Sequence, residues 1–298
     1  MIYAAFRSIG AYIPPKIMSN ADFEKIIDTS DEWITKRTGI KERRIANEGE
    51  ASSDLGARAG ELAIERAGIF KEEIDLVICA TVTPDFLCMP STACLIAAKL
   101  GLPNVMAFDV SAACTGFVYA LNVAKAFIES GMKKNVLIVG AEKYSAILDY
   151  TDRTTCFLFG DGAGAAIISA TNDKSESIID INCSSDGNYE DLIKTPGGGS
   201  KNPCSQEVLE NKMACIKMKG NETFKLAVKT LTSDVKTMLE KHNLTNEDIN
   251  HFIPHQANYR IIKAVGEALD LSDEKTVVTV DKYGNTSAAS IPMAMNYA

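Results

Sequence analysis

The sequence predicts an α/β fold made of two similar halves, and three observations carry that prediction. Apolar segments of strand length alternate with segments of helix length, the pattern of a sheet covered by helices. The order of motifs in the first half recurs in the second, at weak residue identity. The 298 residues, 46% hydrophobic and 23% charged, are enough for about two domain-sized units and suit neither a disordered nor a fibrous chain.

Ser52–Ser53–Asp54 reads as a helix start and Ala67–Gly68 as its end. A buried strand follows at Leu76–Thr81, then a helix opened by Pro90–Ser91–Thr92 and closed by Gly101. Val105–Val110 is a strand. From Thr115 to Ser130 the apolar residues Phe117, Ala120, Leu121, Ala124, Phe127 and Ile128 form a helical stripe that Gly131 stops. Val136–Gly140 and Ala163–Ala170 are further strands, and the polar stretch Thr171–Ser177 divides residues 1–174 from 175–298. The second half repeats this order. A long helix (Asn221–His242) precedes a Glu-Asp-Ile-Asn turn that matches Glu-Glu-Ile-Asp in the first half. A strand through His251–His255, a helix over Tyr259–Leu269 and a strand at Val277–Val280 follow. Thr-Ser-Ala-Ala-Ser (286–290) then stands where Ser-Ala-Ala-Cys (111–114) stands in the first half. Two such halves can turn the carboxyl ends of their strands toward one another and share one site.

Composition narrows the function. A net charge of −8 argues against a binder of nucleic acid or anionic membrane with a wholly basic surface. No run approaches the roughly 18 apolar residues of a membrane span. Met1–Gly10 contains Arg7 and lacks a charged start before an apolar core, so a cytoplasmic protein is expected. The eight cysteines show neither Cys-x-x-Cys nor zinc-site spacing, which leaves most of them as small buried hydrophobes.

Cys114 is the cysteine that stands apart. It follows a strand and opens a helix among Ala112, Ala113 and Gly116, where small neighbours admit a substrate and the helix end favours thiolate. Position alone divides evenly between a nucleophile and a buried structural thiol. Of the three histidines, His242 ends a helix and suits a capping role; His251 and His255 lie in a Pro254-containing strand, so they do not stack as metal ligands. His255 ends that strand and is either functional or a satisfied core histidine. Asn285, after the last strand, is either functional or a turn residue. Phe-Gly-Asp-Gly-Ala-Gly (159–164) leads into a strand and therefore fails as a dinucleotide fingerprint.

Three motifs together resemble one family. Asp-Val-Ser-Ala-Ala-Cys-Thr-Gly-Phe (109–117), Pro-His-Gln-Ala-Asn (254–258) and Tyr-Gly-Asn-Thr-Ser-Ala-Ala-Ser-Ile-Pro (283–292) are similar to those of bacterial 3-oxoacyl-[acyl-carrier-protein] synthase III. The resemblance implies a thiolase-like fold, two pseudo-symmetric halves in an αβαβα layering, and a cytoplasmic homodimer. It implies a Cys-His-Asn set on Cys114, His255 and Asn285; the Asn favours an initiating over an elongating condensing enzyme. It also places coenzyme A contacts on Trp33 and Arg37, on Arg153, on Gly220, Asn221 and Phe224, and on Ala257, Asn258 and Arg260. Met89, where some members carry Phe, and Phe159 fall at the acyl pocket, Met89 across the dimer. The implied reaction joins an acyl-CoA primer to malonyl-acyl carrier protein, with coenzyme A thioesters as substrate and product and no metal or bound organic cofactor. An acidic carrier protein calls for a local basic patch, for which Arg260, Lys263 and Lys225 are candidates or else a solvated helix face. The family pattern runs on through another strand and a Gly-Gly-Gly turn, whereas this sequence stops at Ala298 in what reads as a helix. Rival readings are a cysteine-dependent acyl-CoA hydrolase, a Cys-His-Asn polyketide-type condensing enzyme and a non-catalytic coenzyme A binder of the same fold.

Overall fold

The computed structural model describes every residue except Pro103. Its strands are β1 (Tyr3–Tyr12), β2 (Lys16–Ser19), β3 (Glu42–Ile45), β4 (Leu76–Ala80), β5 (Met106–Val110), β6 (Asn135–Lys143), β7 (Asp161–Thr171), β8 (Ile193–Lys194) and β9 (Lys217–Met218). Its helices are α1 (Asn20–Phe23), α2 (Asp31–Thr38), α3 (Ser52–Ala67), α4 (Thr92–Lys99), α5 (Gly116–Glu129), α6 (Gln206–Glu210), α7 (Gly220–His242), α8 (Tyr259–Ala268), α9 (Val280–Tyr283) and α10 (Ser290–Tyr297). None of these helices is long and apolar enough to cross a membrane.

A five-stranded mixed sheet in the order β1-β7-β6-β4-β5 organises the chain. β4 runs parallel to both β5 and β6, pairing Ala80 with Val110 and Gly140, while β7 lies antiparallel to β1 and β6. Side chains alternate along β4. Val77 and Cys79 enter the core formed with α3 and α4, whereas Leu76, Ile78 and Ala80 enter the one formed with α5. Because both faces are covered, β4 is buried throughout and its sequence is an unbroken apolar run. The helix ends follow from local chemistry. Ser30 and Ser91 cap α2 and α4 through their side chains, and Gly39 ends α2 at a positive φ of 75°.

The same backbone devices recur in both halves. α3 ends at Gly68 (φ 64°) and α7 at Asn243 (φ 55°). The Leu-Gly-Leu and Leu-Asp-Leu turns place Gly101 and Asp270 at φ 70° and 53°. Ala113 and Ser287, at φ 47° and 49°, each begin a single 3-10 turn that leads into α5 or α10. Four of these six left-handed residues are not glycine; Asn243 and Asp270 are types that tolerate this region, whereas at Ala113 and Ser287 tertiary packing holds backbone that the residue type resists.

The two strands expected in the second half differ from expectation. Segments 251–255 and 277–280 run side by side but share only the parallel bridge Phe252–Thr276, and Val280 already belongs to α9. Pro254 has no N–H to continue a ladder. The Gln256 side chain takes over. Its Nε2 donates to the carbonyls of Pro254 (2.9 Å) and Val277 (3.1 Å), and its Oε1 accepts from the N–H groups of Thr279 (2.7 Å) and Val280 (3.2 Å). Among the described residues, the second sheet layer is therefore represented by this side-chain-bridged pair. Gln256→Leu leaves four backbone groups without their partners, and should lower unfolding stability by about 3 kcal/mol in urea titration.

Candidate active site

Cys114 sits in the 3-10 turn Ala113–Thr115, between the end of β5 and the start of α5. The thiol is half-buried, and burial pushes its pKa up to about 11, with the nearby Glu142 carboxyl adding to the rise and Ser287 opposing it. The helix start expected to favour thiolate is in place, but desolvation outweighs it. Cys114 is thus a neutral thiol at pH 7, and its proton must go to an acceptor before it can attack.

His255 and Asn285 come from the second half and are tied to segment 285–290, whose 3-10 turn packs against the turn of Cys114. Ser290, the first residue of α10, places its Oγ 2.5 Å from His255 Nδ1 and accepts the Gln256 N–H at 3.2 Å. The hydroxyl keeps both its hydrogen and a second lone pair for Nδ1, so the contact fits either neutral tautomer, and the one in which Ser290 donates to Nδ1 carries the ring proton on Nε2. Nε2 is sealed from solvent without a partner, and burial lowers the His255 pKa to about 4, so the ring is neutral. Asn285 is held by its backbone, its N–H donating to Leu158 (2.9 Å) and its carbonyl accepting from Gly160 (3.0 Å). Its Oδ1 accepts the Ser287 N–H at 2.8 Å, which turns the amide N–H₂ away as a free donor. Segment 285–290 therefore carries Asn285, supports His255 and packs its Ser287–Ala289 turn against the Ala113–Thr115 turn.

Two close approaches make this possible. A Cβ at Gly140 of β6 would lie 2.4 Å from the Ala288 carbonyl oxygen, and one at Gly164 of β7 would lie 2.7 Å from Pro292 Cβ. The glycine tract 159–164, which fails as a nucleotide motif, is thus part of the groove that receives α10.

A group that the motifs did not mark completes the centre. Glu142, the penultimate residue of β6, is wholly buried and forms no salt bridge among the described residues. Its carboxylate accepts from Thr83 Oγ1 (2.6 Å), Thr81 Oγ1 (3.3 Å) and the Val82 N–H (3.2 Å). Burial nevertheless raises its pKa to about 7. The available signal was polar: Glu142 follows the apolar run Val136–Ala141, and reading the strand as ending at Gly140 left it outside.

The residues assigned to coenzyme A fall into two groups. Arg37 and Arg153 place their guanidinium carbons 4.3 and 5.4 Å from the centre of the half-buried Trp33 ring. Phe224, on the first turn of α7, packs with Ala257 and lies under the Arg260 guanidinium at 5.4 Å. Asn258 caps α8 through its side-chain oxygen and donates from Nδ2 to the Arg37 carbonyl (3.2 Å), which joins the two groups. Gly220 and Asn221 are exposed at the start of α7. Lys225 and Lys263 are exposed, with Lys263 3.8 Å from Glu267.

Of the acyl-pocket pair, Phe159 is placed differently from expectation, whereas Met89 lies at the surface, where a residue offered to a partner chain would be. Phe159 is 1% exposed, bridges to Asn285 and stacks on Tyr144 at 4.5 Å, so it backs the site from the core and lines no open pocket. Met89 is 78% exposed on the loop before α4, away from this chain's interior. Among the described residues no three His, Cys, Asp or Glu side chains are grouped as metal ligands.

A thiolase-like α/β frame that presents a cysteine on a strained turn, backed by a second half, defines the class of acyl-transferring condensing enzymes. Residues 108–187 match the model of the family 3-oxoacyl-[acyl-carrier-protein (ACP)] synthase III, and residues 239–298 match the model of its C-terminal part. The chain is similar to a beta-ketoacyl-[acyl-carrier-protein] synthase III of Aliarcobacter butzleri (strain RM4018), 99% identical over 100% of this chain and 90% of the relative. One from Sulfurovum sp. (strain NBC37-1) is 68% identical over 99% of this chain and 87% of the relative. A solved 3-oxoacyl-[acyl-carrier-protein] synthase III from Aquifex aeolicus VF5 superposes with a TM-score of 0.90 at 46% identity, covering 99% of this chain and 90% of that one. The chain belongs to the 3-oxoacyl-[acyl-carrier-protein] synthase III family.

The depressed His255 pKa ties stability to pH. Between its usual 6.5 and about 4, the unfolded chain takes up a proton that the folded ring refuses, so this contribution is present above 6.5 and lost as pH falls toward 4. Urea midpoints measured from pH 7 to pH 4 should fall less steeply for His255→Asn than for the unsubstituted chain.

Proposed function

We propose that this chain catalyses the decarboxylating condensation of an acyl-CoA primer with malonyl-acyl carrier protein, giving 3-oxoacyl-acyl carrier protein, coenzyme A and CO₂, the step that starts fatty-acid synthesis. The observation that carries the reading is segment 285–290, which holds Asn285, meets His255 through Ser290 and packs its Ser287–Ala289 turn against the turn that holds Cys114. Cys114, once ionised, attacks the primer thioester, and backbone N–H groups take the developing oxyanion. Coenzyme A leaves with its adenine end gripped by Trp33, Arg37 and Arg153 and its pantetheine arm beside Phe224, Ala257 and Asn258. Malonyl-acyl carrier protein then takes the same path. His255 Nε2–H and the Asn285 amide donate to the malonyl thioester oxygen, which stabilises the enolate as CO₂ departs. That carbanion attacks the acyl group on Cys114. A thioester is already activated and decarboxylation supplies the carbanion, so the proposal assigns no metal or bound cofactor.

The neutrality of His255 suits a donor role, since an imidazole with a pKa near 4 keeps its Nε2–H at neutral pH without a buried charge to solvate. We place the carrier-protein contact on Arg260, Lys225 and Lys263, on the faces of α7 and α8 beside Phe224. The exposed Phe86, Leu87 and Met89 form an apolar segment suited to a second copy of the chain, where Met89 would enter the partner's acyl pocket. A cytoplasmic location accords with this substrate pair.

Intact-mass analysis after mixing with acyl-CoA primers should show an acyl adduct on the unsubstituted chain and none on Cys114→Ala. The adduct should persist without malonyl-acyl carrier protein and disappear on its addition; spontaneous loss as free acid would mark a hydrolase instead. Asn285→Ala should load normally yet slow malonyl decarboxylation by roughly 100-fold, the order seen when one oxyanion donor is removed.

A further inference from the structure

His255 is neutral and carries one ring proton, which its contact with Ser290 alone admits on either nitrogen. What decides between the two is the fate of the Ser290 hydroxyl. Ser290 is 2% exposed, and among the described residues its Oγ has two hydrogen-bond neighbours. One is the Gln256 N–H at 3.2 Å, which can only donate, and the other is His255 Nδ1 at 2.5 Å. Among the described residues, Nδ1 is therefore the acceptor that this buried O–H can reach. On the far side of the ring, Nε2 is sealed from solvent and has no partner.

Resting on the condensing reading, we propose that Ser290 is a positioning residue that fixes His255 as its Nε2–H tautomer, so that the ring meets the substrate as a donor. With the proton on Nε2, Ser290 accepts from Gln256 and donates to Nδ1, and of the two side chains only Nε2–H stays open. With the proton on Nδ1, the ring donates to Oγ instead. The Ser290 O–H then points at no acceptor, and Nε2 presents a bare lone pair. That arrangement buries two orphaned polar groups where the first buries one, and each orphan costs the desolvation of its group. The orphan that remains is a donor, and an arriving carbonyl oxygen satisfies it. As the malonyl carbon–carbon bond breaks and CO₂ leaves, the electron pair moves into the thioester and its oxygen gains charge. Nε2–H strengthens its hydrogen bond to that oxygen and keeps its proton.

Both sides of this contact are held rigidly. Ser290 opens α10, and two residues on Pro292 packs over Gly164 too closely for a Cβ to fit between them. Gln256 is 1% exposed, and its side chain is bound to Pro254, Val277, Thr279 and Val280. The two bonds to Ser290 Oγ thus join α10 to the segment that carries the imidazole, 35 residues earlier in the chain. One hydroxyl sets both the orientation of the ring and the nitrogen that holds its proton. Ser290 itself touches no reacting atom.

The test reads the tautomer directly. Labelling the histidine nitrogens marks three rings, and the signals lost in His255→Asn are those of residue 255. At neutral pH, long-range proton–nitrogen correlation in the unsubstituted chain should show Nε2 protonated and Nδ1 bare. In Ser290→Ala either tautomer leaves both ring nitrogens unpartnered, so the two should coexist. Decarboxylation of malonyl-acyl carrier protein should slow at least about tenfold, in kcat rather than in KM, because the ring is no longer oriented. Ser290→Thr keeps the hydroxyl and should restore both the tautomer and the rate. A merely structural role for Ser290 would lower stability and leave the tautomer of the folded variant unchanged. The proposal is overturned by a His255 protonated on Nδ1 in the unsubstituted chain, or by Ser290→Ala that keeps a single Nε2–H tautomer or the unsubstituted decarboxylation rate. Should Ser290→Ala fail to fold, the unsubstituted chain must still show Nε2–H, and Ser290→Cys, whose thiol is a weak donor, must show both tautomers. A ring held as Nε2–H and released by Ser290→Ala, in a chain that never decarboxylates malonyl-acyl carrier protein, would refute the condensing activity and leave the Ser290 assignment standing.

Discussion

The close contact between segment 285–292 and the glycines of β6 and β7 is the constraint on which the rest of the site depends. Ala288 lies over Gly140 and Pro292 over Gly164 at distances that exclude even a methyl group. Interiors are packed too densely to absorb such an atom by drifting apart, so the contact sets the position of the second half's chemistry to within a fraction of an ångström. Through it Asn285, Ser287 and Ser290 take their places, and through Ser290 so does His255. The cost is backbone strain at Ala113 and Ser287, both non-glycine residues at positive φ, on the two turns that meet there.

Burial then sets the electrostatics. It raises the Cys114 and Glu142 pKa values and lowers that of His255, so all three groups are driven toward their neutral forms. Such a pocket tolerates one negative charge at a time. A reaction that passes through a thiolate and then an enolate needs that charge to be relocated, and fixed neutral donors can stabilise it without reorganising. The residues proposed for coenzyme A belong to a different regime. Trp33, Arg37 and Arg153 lie near the surface, where cations and an aromatic face offer a site for a nucleotide at little desolvation cost.

Much of this was legible along the chain. The helices were marked by caps and by stops such as Gly68, Gly101 and Gly131, which carry their information locally. Cys114, His255 and Asn285 were marked by short motifs at the ends of elements. Glu142 was not, because a single carboxylate at a strand end has no local signature until threonines about 60 residues earlier are packed against it. Phe159 shows the same limit from the other side: its side chain suits a pocket, and only packing put it in the core. The strands expected around Phe252 and Val277 had the right apolar content, but Pro254 withheld a donor and Gln256 replaced the ladder with its side chain.

By itself the sequence determined the α/β alternation and the repeated order of motifs, and it marked a thiol, an imidazole and an amide as candidates, because each of these depends on neighbours a few residues away. Tertiary structure decided which groups share a pocket and which protonation states they hold there. Those depend on desolvation and on contacts between segments far apart in the chain, and neither is written in any local pattern.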